Sequence, residues 1–360
     1  MPAAKKPLSV VVAGGGTAGH IEPALAVAEA LVEKHGATVT ALGTPRGLER
    51  DLVPARGFDL RLIDPVPVPR RPNLDLLKLP FRVLGAVRQT REILRDTGAD
   101  VLIGFGGYVS APAYLAAKSL GIPFLVHEAN ARAGMANKLG QRLGGRSYNA
   151  VADSGMPGEV VGIPVRAGLR GGDTHAAVAR AREQWGLSPE LRTLLVTGGS
   201  QGAVRINKAV AGAVDTLTAA GGIQVLHAYG KRNTAPEEHD HYVALPYIDD
   251  MAAAYAVADL IVCRSGAMTV AEVTSAGLPA LYVPLPHGNG EQALNATGVV
   301  EAGAARFIDD AELTPDRLVS EVTEILGDDE KLAAMRAAAR EHSAGDAAGL
   351  LADAVVAAVK

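Results

Sequence analysis

The chain has 360 residues, of which 48% are hydrophobic and only 4% aromatic, with 41 glycines and a net charge of −4. That length asks for two domains of about 150–180 residues rather than one, and a Gly-rich, aromatic-poor composition fits α/β layers better than a β-sandwich. The acidic balance argues against a nucleic-acid partner, and the single cysteine, Cys263, excludes an internal disulfide or a cysteine metal cluster and suits a reducing cytoplasm.

In chain order, residues 8–13 (LSVVVA) read as a strand buried on both faces. Lys5 and Lys6 precede this run, but it is too short for a secretion signal and feeds a glycine loop instead of a cleavage site. No stretch of about 20 apolar residues follows anywhere, so no membrane span is expected. The loop Gly14-Gly15-Gly16-Thr17-Ala18-Gly19-His20 leads into a helix predicted to start near Pro23 and end at Gly36. A strand at 37–42 comes next. The proline-rich stretch 65–72 is expected to be extended, and Leu74, Leu77, Phe81 and Leu84 then recur at helical spacing. Between residues 70 and 95 seven Lys/Arg stand against two acids, a local charge of +5. A basic amphipathic segment suits an anionic membrane surface. A core helix with a solvated basic face is the competing reading, and Pro80 interrupts the pattern, which leaves a kink or two short helices open.

Residues 101–104 form a strand that passes through Phe105-Gly106-Gly107 to a helix, then Gly121-Ile122-Pro123 and a strand at 124–127. A Gly-rich stretch at 165–173 marks the boundary, giving domains 1–165 and 166–345, with a C-terminal helix (346–360) that either packs back on the first domain or stays with the second. The second half repeats the first. A strand at 193–197 enters Gly198-Gly199-Ser200-Gln201-Gly202, and a strand at 260–263 enters Arg264-Ser265-Gly266, a helix, Gly277-Leu278-Pro279 and a strand at 280–283. Strands alternating with helices imply right-handed βαβ units. The fold class is therefore α/β, two Rossmann-like parallel-sheet domains facing a cleft.

A glycine turn between a parallel strand and a helix offers backbone N–H groups and a positive dipole end to an anion. No acidic residue closes the second strand in the way that NAD binding requires. In the second half, the Thr269 hydroxyl and the nearby backbone N–H groups suit a pyrophosphate, and Glu272 suits two ribose hydroxyls. Taken in isolation, the same pattern is an N-capped helix with a solvated glutamate.

The blocks GGGTAGHIEPALAVA (14–28), GFGGYVSAPAYLAAKSLGIP (104–123), HEAN (127–130), GIPVR (162–166), TGGSQGA (197–203), YIDDMAAAYAVAD (247–259) and CRSGAMTVAE (263–272) span most of the chain in order. Together they resemble the MurG family, UDP-N-acetylglucosamine:lipid I N-acetylglucosaminyltransferases of the GT-B fold. The resemblance implies an inverting transfer of GlcNAc from UDP-GlcNAc to the 4-hydroxyl of lipid-linked N-acetylmuramyl-pentapeptide, for peptidoglycan. It implies Ile248 at uracil and Glu272 at the ribose. Ser200, Arg166 and Thr269 would meet phosphate, with backbone from Ala267, Met268, Thr269, Val270 and Ala271. Gln292 and Glu291 would read sugar hydroxyls, and Thr17, Ala18, Gly19 and Asn130 complete the donor set. It places the enzyme peripherally on the cytoplasmic face of the cell membrane, with lipid I as acceptor and room for cell-wall assembly partners. Leu77, Lys78, Phe81, Arg82 and Arg88 are the expected membrane-facing residues.

No cofactor is expected. With no Asp-x-Asp to hold a divalent cation, leaving-group charge falls to Arg166, hydroxyls and helix N-termini. His20 is the first candidate for the base, against helix capping or acceptor-phosphate binding; Glu128 is the rival base, against a loop-bonding role. Cys263, Trp185 and His287 are read as structural or plain loop residues. The chain departs from the family pattern at Ala18 (usually Gly), Ile163 (often Asn) and Glu291 (often Gln). Rival readings are a transferase to another acceptor, a UDP-GlcNAc 2-epimerase, and a nucleotide-sugar binder without turnover.

Overall fold

The computed structural model describes residues 6–66, 75–169, 174–199, 201–219, 222–286 and 290–359, with backbone alone at 75–77 and 174. Its contacts divide the chain into two compact units, residues 1–166 with 344–360, and residues 167–343.

Unit 1 runs β1 (Ser9–Gly14), α1 (Ala18–His35), β2 (Thr38–Gly43), α2 (Glu49–Ala55), β3 (Asp59–Leu62), α3 (Asp75–Asp96), β4 (Val101–Gly106), α4 (Ser110–Leu120), β5 (Phe124–Glu128), α5 (Met135–Arg142), β6 (Arg146–Asn149) and β7 (Glu159–Val160). Its strands form one parallel sheet in the order β3-β2-β1-β4-β5-β6-β7. β1 and β4 are buried on both faces, as their uninterrupted apolar runs require. Strand alternation sends Val10 and Val12 into one core layer and Val11 and Ala13 into the other.

Unit 2 runs α6 (Thr174–Trp185), β8 (Arg192–Thr197), α7 (Val204–Ala219), β9 (Ile223–Ala228), β10 (Tyr242–Leu245), α8 (Met251–Val257), β11 (Leu260–Cys263), α9 (Ala267–Ser275), β12 (Ala280–Tyr282), α10 (Glu291–Glu301), β13 (Ala305–Phe307), α11 (Pro315–Leu326) and α12 (Asp329–His342). Its parallel sheet has the order β10-β9-β8-β11-β12-β13. The last helix, α13 (Ala347–Ala357), returns to unit 1. There Leu351, Ala352 and Val355 join the core layer of α1, and Asp353 takes Lys34 at 2.9 Å and His35 at 2.8 Å.

In each sheet the strand order reverses between two neighbours, β1/β4 in unit 1 and β8/β11 in unit 2. The loops after those strands leave in opposite directions and open a crevice at the carboxyl ends, the place where parallel α/β sheets bind ligands. The glycine turns fall on these four loops.

Two expectations need correction. Helix α1 starts at Ala18, five residues before Pro23. Pro23 lies within the first two turns, where the bond it forgoes is the one to the Gly19 carbonyl. Helix α3 is a single element through Pro80. Its inner face holds Leu79, Val83, Ala86, Val87 and Leu94, while Phe81 (78% exposed) and Leu84 (59% exposed) point outward.

Candidate active site

In unit 1 the glycine loop after β1 is held from three sides. The buried Glu49 carboxylate accepts from Gly16 N at 3.1 Å and from Thr44 N and Oγ1 at 2.7 and 2.9 Å. Ser110 Oγ accepts from Gly106 N at 2.9 Å and lies 2.9 Å from the Ala13 carbonyl, stapling the β1 loop to the β4 loop. Gly107, at φ +81°, packs so close to the Gly15 carbonyl that a Cβ would overlap it. Thr17 is the residue before α1, and its Oγ1 lies 3.1 Å from His20 Nδ1. The far edge of the imidazole faces Gly106, where a Cβ would stand 3.0 Å from Nε2. Glycine at 106, with φ +101°, is what gives the ring its place.

The Glu128 carboxylate, only 2% exposed, accepts four hydrogen bonds. Oε1 takes Asn130 N (2.9 Å) and Asn130 Nδ2 (3.0 Å); Oε2 takes Gly134 N and Asn137 Nδ2, both at 2.9 Å. Asn137 is fixed in turn by the His127 carbonyl and the Tyr114 hydroxyl. Glu128 thus organises the 128–137 loop, and Asn130 is presented by it. His127 is buried with Nε2 2.8 Å from the Gly162 carbonyl, and burial pushes its pKa down to about 4. It is therefore a neutral donor that ties β5 to the 161–166 segment.

His20, Glu128, Asn130, Asn137 and the Gly106-Gly107 backbone line the polar end of a cavity of about 510 Å³. Leu79, Val83 and Leu115 line its other end and also border an apolar groove of about 580 Å³ along α3 with Pro80, Leu84 and Val87. Lys78, Phe81, Arg82 and Arg88 are exposed on α3, whereas the side chain of Leu77 lies outside the described residues. Arg166 Nε stands 3.4 Å from Glu22 Oε2, which also receives Arg56 Nη2 at 2.8 Å.

In unit 2 the loop after β8 turns through Gly199 (φ +84°) and Gly202 (φ +70°), and Asn233 Nδ2 braces it at the Gln201 carbonyl, 2.9 Å away. Ser200 and His287 lie outside the described residues. Helix α9 opens after Gly266 with no side-chain cap, so its first-turn N–H groups face the crevice end of β11. Ser265, fully buried just before it, has an Oγ with no partner among the described residues. Thr269 lies half-buried on the first turn, with Met268 and Val270 inward. Glu272 Oε2 accepts from the Tyr255 hydroxyl at 3.0 Å. Asn295 Nδ2 reaches the Ser265 carbonyl at 3.3 Å, which sets α10 beside the residues that lead into α9, and Gln292 Oε1 accepts from Leu285 N at 3.0 Å in the loop after β12. Ile248 is buried before α8. Cys263 and Trp185 are core residues, and burial pushes the Cys263 thiol up.

Of the residues expected at the site, Thr17, Ala18, Gly19, His20, Glu128, Asn130 and Arg166 lie in unit 1, and Ile248, residues 267–272, Glu291 and Gln292 lie in unit 2. Glu49, Ser110, Asn137 and Tyr255, none singled out from the sequence, hold these groups. Ser110 and Tyr255 fall inside the quoted blocks, whereas Asn137 lies outside them. Glu49 carried no signal.

Residues 10–146 match the glycosyltransferase family 28 N-terminal domain, and residues 193–351 match the family 28 C-terminal domain. The chain is 70% identical over 352 residues to a UDP-N-acetylglucosamine–N-acetylmuramyl-(pentapeptide) pyrophosphoryl-undecaprenol N-acetylglucosamine transferase of Corynebacterium efficiens, covering 98% of each chain. It is 56% identical to the protein of the same name from Mycolicibacterium smegmatis, over 95% of this chain and 91% of that one. The crystal structure of Acinetobacter baumannii MurG superposes with a TM-score of 0.76 at 31% identity, over 98% of this chain and all of that one.

Proposed function

The chain belongs to glycosyltransferase family 28 and, within it, to the pyrophosphoryl-undecaprenol N-acetylglucosamine transferases, and on that premise we propose how its residues divide the reaction. The protein moves GlcNAc from UDP-GlcNAc to the 4-hydroxyl of lipid-linked N-acetylmuramyl-pentapeptide, inverting the anomeric centre.

The donor's uracil meets the backbone at Ile248, and its ribose diol meets Glu272. The pyrophosphate takes N–H groups of the first turn of α9, the Thr269 hydroxyl and Arg166, so charge developing on the leaving UDP is met by donors fixed before the reaction. Gln292 and Glu291 read the sugar hydroxyls. His20 takes the proton. With Nδ1–H donating to Thr17 Oγ1, Nε2 is the basic nitrogen. The acceptor oxygen bonds to C1 as its proton passes to Nε2, and the C1–phosphate bond breaks with its electrons leaving on UDP. Glu128 serves by holding Asn130, since its four accepted hydrogen bonds occupy the lone pairs that a base would use.

The observation that carries the acceptor reading is the cavity of unit 1, polar at His20, Asn130 and Gly106-Gly107 and apolar at Leu79, Val83 and Leu115. A sugar pyrophosphate joined to a prenyl chain has the same polarity along its length. The apolar end continues onto the exposed flank of α3, which we assign as the surface that rests on the cytoplasmic leaflet. No helix among the described residues is long and apolar enough to cross a membrane, and a peripheral contact is the one we propose.

The test is transfer of labelled GlcNAc from UDP-GlcNAc to a lipid I analogue. Appearance of the disaccharide-linked lipid with release of UDP is expected. Conversion of UDP-GlcNAc alone to an isomeric UDP-sugar would overturn the reading in favour of an epimerase.

A further inference from the structure

We infer that Tyr255, on the buried face of α8 and 3.0 Å from Glu272 Oε2, is a positioning residue that sets the Glu272 carboxylate for the donor's ribose diol. The inference rests on the assignment of Glu272 to the ribose and adds the group that makes that carboxylate selective.

Glu272 stands on the sixth residue of α9, and a glutamate side chain has three rotatable bonds, so a half-buried one samples several rotamers. A cis-diol needs both oxygens of the carboxylate in one plane at one orientation. Tyr255 has no such freedom. Its ring is packed in the unit 2 core with Ile248, Val273 and Tyr282, and it is 5% exposed. A rigid hydroxyl bonded to Oε2 fixes the plane of the carboxylate before the nucleotide arrives, so the ordering cost falls on folding instead of on binding. Burial, reinforced by the Glu272 charge, holds the phenol pKa well above its ordinary value, so the hydroxyl stays a donor at any working pH. Helix α8 carries this hydroxyl, only seven residues after Ile248, the residue assigned to uracil, which lies just before that helix. One short segment thus registers base and ribose together.

The readout is discrimination between UDP-GlcNAc and its 2′-deoxyribose analogue, which a purely structural role of Tyr255 would leave unmoved. In Tyr255→Phe, the ring and packing remain and one oxygen is lost. The KM for UDP-GlcNAc is expected to rise about 3- to 10-fold, the cost of ordering one flexible side chain on binding. kcat should stay nearly constant, and the ratio of kcat/KM for ribose over deoxyribose donor should shrink by a similar factor. If Tyr255→Phe keeps the wild-type ratio while Glu272→Gln collapses it, the Tyr255 assignment is wrong and the ribose assignment stands. If Glu272→Gln also keeps the ratio, the ribose assignment itself fails. Should the Phe variant not fold, Glu272→Asp tests the pair from its half-exposed end, because its carboxylate falls one methylene short of the hydroxyl. Wild-type discrimination there would equally overturn the inference.

Discussion

The Nδ1 atom of His20 lies 3.1 Å from the hydroxyl of Thr17, and the opposite edge of the ring faces Gly106, where no side chain intervenes. Thr17 therefore holds the orientation of a ring that a glycine admits, and the mechanism proposed above uses the tautomer in which Nδ1–H donates to it. Replacement of His20 by Ala is expected to lower kcat by about 10²–10⁴-fold, the usual worth of general-base catalysis, with either KM little changed. Thr17→Val should lower kcat less, by roughly 10-fold, because the ring remains but its protonated nitrogen is no longer specified. Steady-state kinetics on both substrates decide it. A His20→Ala effect confined to the acceptor KM would make the histidine a phosphate ligand.

Glu128 separates from His20 by what its loss does to the fold. Glu128→Gln turns one acceptor oxygen into a donor facing donors already in place, from Asn130 or from Gly134 and Asn137. The conflict in a buried site should cost about 2–4 kcal/mol, a fall in melting temperature on the order of 5–10 °C for a unit of this size. A base with no structural duty would show the reverse, an unchanged melting temperature and a collapsed kcat. Calorimetry of the variant gives the answer.

The contrast between these two residues shows what sequence can carry. Buried parallel strands announce themselves as uninterrupted β-branched runs, and the glycine turns follow them, so β1, β4, β8 and β11 and their loops were legible. Pro23 reads in the sequence as a first-turn marker, yet α1 already begins at Ala18, directly after the loop that Glu49 and Ser110 hold. Such holding residues obey no period. Glu49 meets Gly16 across 33 positions and Tyr255 meets Glu272 across 17, and only the strand order brings either pair together. Roles of donor-site residues came from resemblance, since S-G-x-x-T-x-x-E alone is also an ordinary helix start.

Stability should depend on pH through two buried histidines. Burial pushes both His127 and His227 down to about 4, from an ordinary value of 6.5. Between those values the unfolded chain binds protons that the folded protein refuses, so stability is complete above pH 6.5 and is lost as pH falls toward 4. Each site contributes at most roughly 3 kcal/mol. Thermal melts across pH 4–7 should show the decline, and His227→Gln should flatten part of its slope. A slope unchanged in that variant would mean that His227 is not held neutral.

Transfer should proceed undiminished in EDTA. The leaving UDP is assigned to Thr269, Arg166 and the N–H groups at the start of α9, fixed dipoles and a cation that need no divalent ion. Activity that collapses on chelation and returns only with magnesium or manganese would overturn this account of the leaving group. Arg166→Ala should lower kcat/KM by about 10²-fold, in line with loss of one charge-assisted donor.

The membrane surface can be dissected because α3 carries its charges and its apolar groups on separable residues. Phe81 and Leu84 are 78% and 59% exposed, beside the groove of Leu79, Val83 and Leu115, whereas Lys78, Arg82 and Arg88 are exposed cations on the same helix. Cations act at a distance, each worth about 1 kcal/mol near an anionic leaflet and screened within roughly 10 Å at 0.1 M salt. Apolar side chains act on insertion and are indifferent to salt. Replacing Lys78, Arg82 and Arg88 with Ser should therefore weaken binding to anionic vesicles, most at low salt, and leave binding to neutral vesicles alone. Phe81→Ser with Leu84→Ser should weaken both. Neither set touches Glu272, Thr269 or His20, so transfer to a soluble short-chain acceptor should persist while transfer to bilayer-embedded acceptor falls. Vesicle sedimentation with both acceptors makes the comparison. If the charge variant sediments with anionic vesicles as tightly as the wild type, α3 is a solvated helix of the unit 1 core, and its basic residues serve solubility alone.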